Sequence, residues 1–137
     1  MERISQSVEA LVRKYETNDP WDLCEKLGII VIITDLPDGV HGVYHRVGEQ
    51  QIIFINKWVD TVQMKMICAH ELGHAVLHEN SNMCMRLDSA IELEQEAEAF
   101  KSQLFHVRMF NSELKVFGHD EIVEFANLAP NSFIMDF

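Results

Sequence analysis

The sequence predicts an α+β fold: a mainly helical single domain with a small three-stranded sheet, antiparallel or mixed, packed on one central helix. Three observations predict it. Segments with apolar residues spaced by three and four dominate the chain. The β-branched and alternating runs are confined to residues 29–55. A proline-free stretch, Thr61 to Glu79, carries His70-Glu71-Leu72-Gly73-His74, whose two histidines share a helix face. A length of 137 residues suits one sizeable core and is short for two. One domain is therefore expected over 1–137, with two helices and the sheet in 1–56, the histidine-bearing helices in 57–110 and a closing helical segment in 111–137.

Each element has its own signal. Ile4, Val8, Leu11, Val12 and Tyr15 repeat at helical spacing, which predicts a surface helix. Asn18 or Asp19 caps a second, short helix with Pro20 in its first turn and Gly28 as its terminator. Ile29 to Ile33 is an unbroken β-branched run and reads as a buried strand. Val40 to Arg46 and Gln51 to Ile55, joined by Val47-Gly48-Glu49, form a hairpin. The stretch from Thr61 places Met66, Ile67, Gly73 and Leu77 on the side of His70 and His74, so the pair sits on the inward stripe of an amphipathic helix. Asn80 to Asp88 is a polar, methionine-rich connection. Ala90 to about Phe110 is a long helix with Ala90, Leu93, Ala97, Phe100 and Leu104 on one stripe. Two short helical segments, Ser112 to Val116 and Asp120 to Asn127, close the chain before Pro130.

Composition narrows the function classes. There is no apolar run of membrane-spanning length and no basic-then-apolar leader, so a cytoplasmic protein is expected. Cys24, Cys68 and Cys84 are an odd set without paired metal spacing and read as reduced thiols, with Cys68 pointing away from the histidine face into the core. The formal net charge of −11 and the lack of a basic stripe argue against direct nucleic-acid binding. The same charge suits a basic protein partner.

The chemistry concentrates at residues 70–74. On a helix, His70 and His74 project about one turn apart and can reach one ion, while Glu71 points roughly 100° around, beside that ion and not onto it. Zinc lowers the pKa of water it binds, and Glu71 stands where a general base would take the proton. A catalytic zinc usually needs a third protein ligand. His78 lies about 12 Å along the axis from His70, too far for one helix to aim all three. It reads as a helix-end residue. The acidic run Glu92, Glu94, Glu96 and Glu98 remains. Glu92 lies opposite the apolar stripe; Glu94 and Glu96 flank it on its two edges, so periodicity alone does not choose between them. Glu94 is favoured because Ala90 and Ala97, each about a turn away, let a second helix approach, whereas Leu93 and Phe100 crowd Glu96. Glu98, four residues on, is placed to orient a ligand imidazole through its other ring nitrogen. Two imidazoles and a carboxylate without sulfur suit Zn2+. An oxyanion donor is not evident; Tyr44, His45, His106 and His119 are the candidates.

Ala69-His70-Glu71-Leu72-Gly73-His74-Ala75-Val76-Leu77-His78 and Glu94-Gln95-Glu96-Ala97-Glu98-Ala99-Phe100 resemble the two motif helices of the ImmA/IrrE family of small metallopeptidases, a zincin-like group of gluzincin type. Gly42-Val43-Tyr44 and Ile52-Ile53-Phe54-Ile55-Asn56 resemble that family's hairpin, and Asp120 to Pro130 its closing segment. The resemblance implies that the third zinc ligand is Glu94. It implies an endopeptidase of phages or other mobile elements that cleaves or inactivates a DNA-binding helix-turn-helix repressor. The alternative is a zinc-stabilised anti-repressor or toxin–antitoxin component that acts by binding, and a general peptidase is a third reading. The chain departs from the family pattern at Glu98, where Asn or Asp is usual, at Lys101, and at Leu104-Phe105-His106-Val107.

Overall fold

The computed structural model describes residues 2–78 and 87–107. In chain order they form α1 (Glu2–Tyr15), α2 (Pro20–Leu27), β1 (Ile30–Thr34), β2 (Gly42–Val47), β3 (Gln50–Asn56), α3 (Thr61–Leu77) and α4 (Leu87–His106). This is a mixed α+β architecture. Helix α4 begins at Leu87, inside the stretch read as a polar connection; the rest of that connection (80–86, with Cys84), the two closing segments and His119 lie outside the described residues.

Local chemistry sets the boundaries. Asp19 caps α2, its side chain accepting from the Trp21 N–H at 3.0 Å, with Pro20 at the first helical position. Gly28 ends that helix in the left-handed region at φ 73°, where its N–H reaches back to the Cys24 and Glu25 carbonyls. Asp60 caps α3 through the Gln63 N–H at 2.8 Å. The helix ends at His78, whose N–H still donates to the His74 carbonyl although its own backbone has left helical geometry.

The sheet order is β1-β3-β2, with β1 parallel and β2 antiparallel to β3. Strand β3 is therefore central and lies under α3, burying Ile53 and Ile55. Strand β1 is not the buried strand its apolar run suggests. Among the described residues it pairs on one side only, and Ile30 and Ile33 are 45% and 50% exposed. An unbroken β-branched run reports strand propensity, which an edge position satisfies as readily as a central one.

Helix α3 differs from expectation too. Every residue from Met66 to Gly73 is buried, so its middle is covered all round instead of along one stripe. Helix α2 and the sheet lie against it together with α4, and α4 also carries α1, which buries Ile4, Val8 and Val12. The closest approach is at Gly73: a Cβ there would stand 3.1 Å from the Ala97 Cα and carbonyl oxygen. A side chain at residue 73 would push the Ala97 backbone back by a few tenths of an ångström, so glycine suits the close meeting of α3 and α4. That crossing brings the histidines of one helix against the acidic run of the other.

Candidate active site

His70 and His74 rise from the buried middle of α3 with ring centroids 5.1 Å apart. Glu94 of α4 meets both. Its Oε1 lies 2.8 Å from His70 Nε2, and its Oε2 lies 2.9 Å from His74 Nε2. Ligand atoms of these three residues fall within 4.8 Å of one another. Glu92 is exposed, and the acidic side chains that face α3 are Glu94, Glu96 and Glu98.

The donor set fits a metal. An ion held tetrahedrally at about 2.0–2.1 Å from each ligand keeps ligand atoms about 3.3 Å apart, close to the spacing seen between the imidazoles and Glu94. The hydrogen-bond inventory points the same way. His70 presents Nε2 to Glu94 and Nδ1 to Glu98 Oε1 at 2.7 Å, so both ring nitrogens face carboxylates. A neutral imidazole has one N–H to give. A second proton or a cation must stand at the other contact, and a metal held by His70 and Glu94 would satisfy both groups without charging the ring.

The acidic groups are tuned for this. Burial pushes the Glu94 carboxyl upward, but the hydrogen bonds from His70 and His74 outweigh it and hold the group down at about 2. Burial likewise raises Glu98, and the His70 hydrogen bond with the nearby Lys101 ammonium, 2.8 Å away, brings it below its ordinary value. Lys101 thus offsets part of the charge at Glu98. Glu71 is buried beside the start of β2, where a Cβ on Gly42 would lie 3.1 Å from its Oε2. Asn56 fixes the loop leading to that strand, its Nδ2 donating to the Val40 carbonyl at 2.9 Å and its own N–H to the His41 carbonyl at 2.9 Å.

Of the oxyanion candidates, the three among the described residues are not brought together, and His119 lies outside them. The Tyr44 hydroxyl accepts from Gln51 at 2.9 Å, His45 is exposed on β2, and His106 donates to the Ser102 carbonyl at 2.6 Å. Cys68 is buried in the core with its Sγ 3.7 Å from that of Cys24; this hydrogen bond and the burial keep the thiol well above its ordinary pKa. Sequence reasoning missed two residues. His78 turns its ring back to His74, Nδ1 to Nδ1 at 3.0 Å, and Glu96 takes His78 Nε2 at 2.8 Å. Burial lowers His78, and the Glu96 hydrogen bond offsets this only in part.

Comparison with known proteins agrees with this geometry. A 79-residue stretch is 34% identical to "Uncharacterized immunity region protein 2" of Bacillus phage phi105, covering 58% of this chain and half of the phage protein. Over 143 aligned positions the chain is 26% identical to "Metallopeptidase ImmA" of Bacillus subtilis strain 168, covering 98% of this chain and 82% of that protein. Residues 24–129, which hold β1–β3 and both site helices, match the family described as the IrrE N-terminal-like domain. The chain belongs to this ImmA/IrrE family of peptidases.

Proposed function

We propose that this chain is a zinc-dependent endopeptidase that cleaves a DNA-binding repressor or a similar regulatory protein in the cytoplasm. The observation that carries the reading is the convergence of His70 Nε2, His74 Nε2 and the Glu94 carboxylate. These three residues hold the metal, and Glu71 is the general base. When bound, zinc supplies a Lewis acid that polarises the scissile carbonyl and acidifies water. Glu71 takes one proton from the attacking water and delivers it to the amine nitrogen as the C–N bond breaks. Glu98 holds the His70 ring by its Nδ1 proton.

The sheet order favours one strand of the hairpin as the docking edge. Because β3 is central, the strand of the hairpin that can accept an extended substrate is β2, and its first residue, Gly42, lies against Glu71. The formal net charge of −11 favours a basic partner such as a DNA-binding protein. The immunity-region name of the phage relative and the metallopeptidase name of the bacterial one support the same class.

The test is to express the chain and its Glu71→Gln variant with the helix-turn-helix protein encoded beside it and to measure the partner's intact mass. A single cut that requires Glu71 is expected. A whole partner that co-purifies with both forms would carry the binding reading in its place.

A further inference from the structure

Among the described residues, His74 has no carboxylate on its Nδ1, whereas His70 has Glu98 there. What it has is His78, and His78 is backed by two more groups in series. His78 Nε2 lies 2.8 Å from Glu96 Oε1, and Arg3 of α1 donates to Glu96 Oε2 at 2.9 Å. His78 is buried, its ring centroid 5.2 Å from that of His74, and its backbone N–H donates to the His74 carbonyl at 2.8 Å. Main chain and side chain therefore tie the same two residues together.

Counting protons leaves one arrangement. If the His74 Nε2 lone pair is given to a metal, the ring's proton is on Nδ1. His78 Nδ1 must then be bare, which puts its own proton on Nε2, facing the Glu96 carboxylate. Arg3 fills the second oxygen. Every contact has one donor and one acceptor. The opposite tautomer of His78 would set two N–H groups face to face at 3.0 Å and leave a lone pair against a carboxylate.

We propose that His78, backed by Glu96 and Arg3, is the positioning residue for His74, accepting its Nδ1 proton and so aiming Nε2 at the metal. The proposal rests on the reading of His70, His74 and Glu94 as ligands. It makes α4 the source of both supports: Glu98 serves His70 directly, and Glu96 serves His74 through an intervening imidazole. It also extends the site to α1, which joins through Arg3.

Zinc affinity of the full chain, measured by competition with a chromogenic chelator, tests this alongside the visible spectrum of the Co2+-loaded chain and the melting of the metal-free form. His78→Leu should weaken zinc binding by roughly 10–100-fold, the range for loss of a ligand's hydrogen-bond partner. It should also shift the Co2+ bands. Glu96→Leu should weaken binding less, and the double variant should be no worse than His78→Leu, because Glu96 acts through His78. His78→Gln, whose amide can accept from His74 and donate to Glu96, should recover part of the loss.

A folded His78→Leu chain with wild-type affinity and spectrum overturns the proposal, as do additive losses in the double variant or a lower melting temperature with unchanged affinity. If His78→Leu does not fold, Glu96→Leu decides: reduced affinity supports the proposal and unchanged affinity overturns it. A wild-type chain that takes up neither Zn2+ nor Co2+ overturns the ligand assignment and this proposal together; wild-type binding with unaffected variants overturns this proposal alone.

Discussion

Glu94 has each carboxylate oxygen against a different imidazole, and those contacts keep it ionised to about pH 2 despite its burial. Its proposed role as ligand gives two expectations. Glu94→Gln keeps the shape but removes the charge, and should weaken zinc binding by more than the roughly 10–100-fold that outer partners contribute. Chelator competition checks this, and an affinity within tenfold of wild type would remove Glu94 from the ligand set. The second concerns protons. Because Glu94 is already ionised at mildly acid pH, zinc should displace no proton from it there. Glu94→Gln should therefore leave the number of protons released per ion unchanged, counted by titration calorimetry in buffers of different ionisation enthalpy; a drop by one would mean that Glu94 is protonated in the free chain. At this scale the sequence was legible where one helix fixes the geometry, as for His70, Glu71 and His74. It was ambiguous where two helices meet. Glu94 and Glu96 lie on the two edges of one stripe because both edges are used, the first against His70 and His74 and the second against His78.

Among the elements, the α3–α4 crossing controls the site because each helix supplies part of it. A methyl group at Gly73 would meet the Ala97 backbone and the Phe100 Cβ at 3.1 Å, and backbone cannot rotate away. Overpacking of this kind costs about 1–3 kcal/mol, from which alanine's helix preference returns about 1 kcal/mol. Gly73→Ala should therefore lower stability by about 1 kcal/mol in a urea melt and weaken zinc binding, since Glu94 moves away with α4. Wild-type values for both would show that the two helices have room to spare. Helical spacing in the sequence revealed both helices, and the small residue at Ala97 pointed to close approach. The all-round burial of Met66–Gly73 and the exposure of β1 were not legible. Both depend on which elements lie alongside, and periodicity within one segment carries no record of its neighbours.

The titratable groups of the α3–α4 layer impose one pH dependence on the whole molecule. His78 has a folded pKa below its ordinary 6.5, chiefly through burial, so the unfolded chain binds that proton more readily. Its contribution is complete above about pH 6.5 and is lost as pH falls through the lowered value. Burial raises Glu94 and Glu98, but their hydrogen bonds outweigh it and leave both below the ordinary 4.5. Their contribution is complete above about pH 4.5 and is lost on the way down, for Glu94 towards about 2. All three make the unfolded chain the better proton acceptor, so stability should rise with pH across both windows. The metal-free chain should thus melt at progressively lower temperature on acidification, first below about pH 6.5 and again below about pH 4.5. His78→Leu should flatten the upper step, and Glu94→Gln should shrink the lower one; the slopes are the readout, because either variant also changes packing. Zinc held as proposed by His70, His74 and Glu94 would add a third component, because those residues meet only where α3 and α4 are assembled. At a free concentration 100 times its Kd it should stabilise the fold by about 2.7 kcal/mol. That increment should vanish in acid as protons take the imidazole nitrogens from the ion. Calorimetric melts from pH 8 to pH 3, with zinc and with chelator, should therefore show two curves that are separate at neutral pH and merge in acid. Parallel curves throughout would mean that the ion is held by groups other than His70 and His74.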